Sequence, residues 1–199
     1  RYKVEGELPT PLVEKVGQAL EAYAISQIEE EAAEKVVGWS SFENPFQPDF
    51  QSRSFQMGTY FVFSMRIDKK TIPAKTLKKH YLLELNRRRA ESGSPYLSNH
   101  EKKMIKEHVR SVLNLRIPAT PNSYDVIWNC EASLLWFFSN LKSANEELET
   151  LFFKSFGLSL VRIFPFTQAD LLSGLSAGQK DRLMKMTPTE FTRLDPCWI

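Results

Sequence analysis

Apolar residues along this chain change their spacing several times, and each change marks an element. Behind Pro11, the residues Leu12, Val16, Ala19, Leu20 and Tyr23 recur at the helical period. They predict a helix after a short strand spanning Arg1 to Gly6. An acidic stretch, Glu29 to Glu34, leads to Val37-Gly38-Trp39, and Ser40 to Arg53, with Pro45 and Pro48, reads as a loop. From Gly58 to Ile67 the period becomes two. Phe61, Phe63, Met65 and Ile67 share one face of a strand, and Tyr60, Val62, Ser64 and Arg66 share the other.

After the Asp68-Lys69-Lys70 turn, Pro73 suits the first turn of a helix, where its missing N–H would be unpaired anyway. That helix is predicted to reach about Ala90, with Gly93 and Pro95 breaking it. Ser98 and Glu101 have capping-box spacing and start a second helix with Ile105, Val109 and Val112 on one side. Lys102, Lys106 and Arg110 recur every four residues on another side, beside Lys103. Pro118 and Pro121 end this hairpin.

Two strands follow, Tyr124 to Cys130 and Ser133 to Phe138. Ser143 with Glu146 predicts a capping box for a helix burying Leu148, Leu151, Phe152 and Phe156, closed by Gly157. Leu158 to Phe164 reads as a strand, then come a polar turn, a helix near Ala177 to Met186, and a last turn begun by Thr187-Pro188-Thr189-Glu190. The sum is an α+β fold with a mainly antiparallel sheet packed with helices, plus a protruding basic helical hairpin. Residues 1–70 and 117–166 form the expected core, 71–116 the hairpin inserted as a tip, and 167–199 a tail packing on the core.

Net charge is only +2, but it is unevenly spread. Residues 65–116 hold 14 Lys or Arg against 5 Asp or Glu, while the remainder is acidic overall. That asymmetry points to an anionic partner for the middle of the chain. The candidate contacts are Lys69, Lys70, Lys75, Lys78 and Lys79, then Arg87, Arg88 and Arg89, then Lys102, Lys103, Lys106 and Arg110. Cations spaced along helices can neutralise successive phosphates and release counterions, giving DNA affinity without base reading.

Other chemistry finds little footing. His80, His100 and His108 lie among lysines and read as helix-surface residues; no HExxH, CxxC or DxD spacing appears, so neither a metal nor another cofactor is expected. Glu29, Glu30, Glu31 and Glu34 read as a solvated face rather than a nuclease's metal-binding carboxylates. No glycine-rich phosphate loop occurs. Phe42, Phe46, Phe50 and Phe55 could stack on bases, but covering a sheet or a partner chain fits them better. The apolar run Leu134 to Phe138 is the length of a short buried strand and far too short to cross a bilayer. Cys130 and Cys197 suit a reducing, cytoplasmic setting.

The arrangement resembles the N-terminal part of RdgC proteins, a family of bacterial recombination-associated proteins. The resemblance is carried by Gly38-Trp39 after an amphipathic segment, by Ile72-Pro73 in a Lys-rich turn before a charged helix, and by the capped helix Asn99 to Leu113. Val126-Ile127-Trp128, and the helix Ala144 to Phe156 with Gly157-Leu158, extend it over residues 1–166. It implies a nucleoid-associated protein that binds DNA without sequence preference, dimerises, encircles the duplex and restrains RecA-driven strand exchange. The chain reads as a shortened member lacking the C-terminal domain that helps close the family's ring. The family has also carried the label of exonuclease, for which no residues here speak. A metal-dependent exonuclease and a module binding an acidic protein are the competing readings.

Overall fold

The computed structural model describes residues 1–28, 33–50, 53–93 and 96–187. The chain is α+β. In order it forms β1 (Tyr2–Glu5), α1 (Leu12–Ala22), β2 (Lys35–Ser40), β3 (Gln56–Met57), β4 (Tyr60–Lys69), α2 (Ala74–Ser92) and α3 (Asn99–Asn114). There follow β5 (Thr120–Asn129), β6 (Leu134–Phe137), α4 (Lys142–Phe156), β7 (Ser159–Arg162), α5 (Pro165–Leu172) and α6 (Ala177–Lys185). One sheet runs β2-β4-β5-β6-β1-β7, with β3 beside β4, and every pairing within it is antiparallel.

The period-two pattern of β4 decides where the core lies. Phe61, Phe63 and Met65 point to the side on which α1 and α4 pack. They meet Val16 and Leu20 of α1, and Leu148, Leu151, Phe152 and Phe156 of α4. Trp39 sits at the centre, fully buried, with edge-on contacts to Phe63 and Phe152 and its indole N–H donating to Ser155 Oγ at 2.8 Å. Aromatic pairs of this geometry add roughly 1 kcal/mol each beyond the area they bury.

Gly38 earns its place by close approach. The chain beyond α1 crosses it, with the Trp39 N–H donating to Tyr23 O and the Ile25 N–H to Trp39 O, both at 2.9 Å. A Cβ on Gly38 would stand 2.5 Å from Ile25 Cα. Tyr23, expected on the buried face of α1, instead caps that helix and is exposed, because the chain turns there to reach β2.

Among the described residues the opposite face of the sheet is covered in one half only. Beyond β2 the loop folds under it: Ser40 Oγ and Arg66 Nη1 both donate to Pro45 O, and Arg66 sits 5.3 Å from the Phe46 ring centre. Arg66 also forks onto the buried carboxylate of Asp68, while Ser64 donates to Asp125 at 2.9 Å. Phe50 and Phe55 bury in the main core, as a loop covering a sheet would have them, while Phe42 and Phe46 stay exposed.

Several boundaries differ from the sequence pattern. β3 lies between the expected loop and the expected strand, its two residues too few to show a period, and α5 stands where the sequence predicts a polar turn. β5 starts at Thr120 and contains Pro121, which lies opposite Asp68. β6 pairs with β5 only over residues 126–129, so Pro121 occupies a stretch of β5 with one unpaired edge, where a missing donor is tolerated. The capping box expected from Ser143 and Glu146 does not form. α4 begins at Lys142 behind Leu141, placing Ser143 inside the first turn, while Asn145 Nδ2 donates to Leu141 O. α5 and α6 are linked by Lys180 and Asp170 at 2.9 Å, and none of their described side chains joins either hydrophobic cluster. The turn expected from Thr187 onward lies, past Thr187 itself, outside the described residues.

Candidate nucleic-acid interface

The basic hairpin is built on β4 and β5. β4 feeds α2, α3 feeds β5, and the two strands are paired up to Lys69 opposite Thr120. Pro73 precedes α2, Gly93 ends it in a left-handed conformation, and Ser98 caps α3 in the expected box with Glu101. Hydrogen bonds from the Ser98 hydroxyl and backbone N–H hold the exposed Glu101 carboxyl below its usual range. The hairpin has a small core of its own. Ile105, Val109 and Leu113 bury against Ile72, Leu77, Tyr81, Leu97 and Ile117. The third buried position is Leu113 rather than Val112, because a four-residue step continues the seam made by Ile105 and Val109.

That seam separates two unlike faces. On one side His80, Glu84, Arg87 and His108 help line a groove of about 210 Å³. It adjoins a groove of about 580 Å³ that Arg88, Glu91, His100, Glu101 and Met104 help line. Arg87 and Arg88 are not free cations there. Arg87 Nε lies 2.9 Å from Glu91 and Arg88 Nε 3.3 Å from Glu84, pairs four residues apart on one helix. His100 and His108 are exposed and His80 is half-buried, in keeping with helix-surface histidines.

The other side is basic. Lys78 and Lys106 come together on a groove of about 360 Å³ with Ala74, Leu77 and Tyr81. At 3.6 residues per turn, Lys75 follows Lys78 on the same side of α2, and Lys102 and Lys103 lie on the Lys106 side of α3. Lys75, Lys78, Lys79, Lys103 and Lys106 are exposed and Lys102 is half-buried. Among the described residues none of these six has an ion-pair partner.

The remaining expected contacts fall elsewhere. Lys69 is exposed at the end of β4, but Lys70 is 3% exposed and its backbone N–H donates to Glu34 O, so it faces the interior and leaves the set. Arg89 is half-buried, with Nε out of solvent and without a hydrogen-bond partner among the described residues. Arg110 lies 3.6 Å from Glu34 and 3.7 Å from Glu107, so it ties the foot of α3 to the segment before β2. The stripe of Lys102, Lys106 and Arg110 is thus partly spent on the protein itself, and the lysines of α2 take its place. Of the acidic cluster, Glu29, Glu30 and Glu31 lie outside the described residues.

Among the described residues no group of three or more His, Cys, Asp or Glu is placed to hold a metal ion, and no helix is long and apolar enough to cross a membrane. The Cys130 thiol is pushed up to about 12, first by burial and then by the Glu131 carboxylate. Because the thiolate is the reacting form, Cys130 should resist alkylation in the native protein at mildly alkaline pH and label readily in denaturant. Fast native labelling of the Cys130 peptide, read by mass spectrometry, would contradict this environment.

Sequence reasoning missed one exposed surface. Met57, Tyr60, Val62, Ile127, Trp136 and Phe138 line a shallow apolar hollow of about 460 Å³ on the half of the sheet that, among the described residues, no helix or loop covers. The signal was present: Leu134 to Phe138 is apolar at successive positions, so a strand there must show apolar side chains on both faces. Phe138, expected to be buried, is 61% exposed.

No protein-family model matches the chain, and no curated protein matches it in sequence.

Proposed function

We propose that this chain binds DNA through phosphate contacts made by the basic face of the α2–α3 hairpin, without reading sequence, as its resemblance to RdgC proteins implies. One observation carries the reading: Lys75, Lys78, Lys79, Lys103 and Lys106 stand exposed, without ion-pair partners among the described residues, on an element with its own small core. A cluster of cations with no acids to neutralise them raises the local concentration of a polyanion and gains affinity by releasing its counterions. In this reading the protein works by occupying DNA and so limiting RecA-type strand exchange. It is nucleoid-associated and acts as a homodimer whose two hairpins share one duplex.

Titration of unrelated labelled duplexes at several salt concentrations tests the reading. Affinity should fall steeply with salt and differ little between sequences. Binding that ignores salt, or that strongly prefers one sequence, would sink it. The same mixtures with Mg²⁺ or Mn²⁺ should leave linear DNA intact. Degradation would turn the reading toward a nuclease.

A further inference from the structure

We propose that the half of the sheet left uncovered by the described residues is a second nucleic-acid site, where unpaired bases stack on Tyr60, Trp136 and Phe138; this deepens the DNA-binding reading and rests on it. Tyr60 is 40% and Phe138 61% exposed, far more than rings serving a core would be. The Tyr60 and Trp136 rings lie 6.3 Å apart at 55°, leaving their outer surfaces open. Register aligns the floor of the hollow. Val62 lies opposite Ile127, and Ile127 opposite Trp136, so three neighbouring strands contribute one apolar row.

Trp136 and Phe138 are two residues apart and share a side, which spaces them by roughly 7 Å. Successive bases of a stretched single strand can reach rings so spaced, and stacking of this kind tolerates any base because each has a π-face.

One feature favours bases over an apolar protein surface. The six residues lining the hollow are uncharged, so the hollow itself offers phosphates nothing. The cations a strand would need lie beyond the far end of the same two strands: β4 and β5 run from Tyr60 and Asn129 at the hollow to Lys69 and Thr120 at the foot of the basic hairpin. Ten residues of strand span about 30 Å, so one opened DNA end could place a duplex portion on the hairpin and a frayed strand on the sheet.

The experiment compares labelled oligothymidylate, which cannot pair with itself, with a duplex. The wild-type full chain is set beside a Trp136→Ala/Phe138→Ala variant whose fold is checked by circular dichroism and thermal melting. The variant should bind oligothymidylate about tenfold more weakly and bind the duplex unchanged. Trp136→Phe guards against a folding defect: it keeps a stacking ring, so it should retain binding but lose most of the tryptophan quenching that oligothymidylate causes in the wild type. Unchanged oligothymidylate affinity in the double variant would overturn the proposal, as would quenching that persists in Trp136→Phe. So would a loss of self-association on sedimentation without a change in oligothymidylate affinity, which would make this face a protein contact. If the wild type binds neither probe, the DNA-binding reading itself fails. If it binds both and the face substitutions are silent, only this site fails.

Discussion

Replacing Lys75, Lys78 and Lys106 together with alanine should weaken duplex binding on the order of a hundredfold at about 0.1 M salt, and make the salt dependence shallower by about three units. Each of these lysines is exposed, lacks an acidic partner among the described residues, and belongs to neither hydrophobic cluster. The fold should therefore survive, and thermal melting should confirm that it does. The choice of residues matters. Arg87, Arg88 and Arg110 look as basic in sequence, but each already faces a glutamate, so removing them mixes lost DNA contact with lost internal pairing. A charge-matched control removes Lys35, Lys142 and Lys180, which face Glu147, Glu146 and Asp170 outside the hairpin. Exposed pairs of this sort contribute little to stability, so the control should fold. Equal weakening in the control would mean that overall charge, not this face, governs binding.

Gly38→Ala should destabilise the protein by about 3 kcal/mol, lowering Tm by roughly 10 °C. The added methyl would meet Ile25 Cα at 2.5 Å and Ile25 N at 2.6 Å, both backbone atoms. They cannot swing aside as a flexible side chain could, because Ile25 and Tyr23 are hydrogen-bonded to Trp39 on either side of the contact. Any relief must shift β2 and with it the Trp39 ring at the centre of the core. Gly178→Ala is the matched contrast. Gly178 lies in α6 with no atom within 4 Å of a new Cβ, so alanine there should be neutral or stabilise by up to about 1 kcal/mol. Similar melting curves for the two variants would contradict the close approach at Gly38.

How much of this was legible in sequence varied with the physics that fixes each part. Period two gave β4 and the faces of its side chains, and the Ser98–Glu101 spacing gave the start of α3, because both signals are local. The capping box of α4 failed for the same reason: Ser143 and Glu146 have the right spacing, but tertiary packing started the helix two residues earlier at Lys142. The basic hairpin could be read from composition. Which of its charges are free could not, since Lys70 is buried by the sheet and Arg110 is drawn to Glu34 across a long stretch of chain. The apolar run Leu134 to Phe138 hinted at an exposed apolar face, but the hollow itself stayed hidden because β4, β5 and β6 meet only through register.

The pairing of Lys69 with Thr120 means that the hairpin leaves and re-enters the sheet at a single rung of the β4–β5 ladder. Topologically it is an elaborated β-turn: the sheet needs only that the two strands be joined, and fifty residues do what a tight reversal could do. Such an appendage is modular. Its helices can lengthen by whole turns, or exchange their surface charges, without disturbing a register set by the rungs below. The body of the protein can then hold its sequence against drift while the tip is free to adapt to whatever polymer it meets.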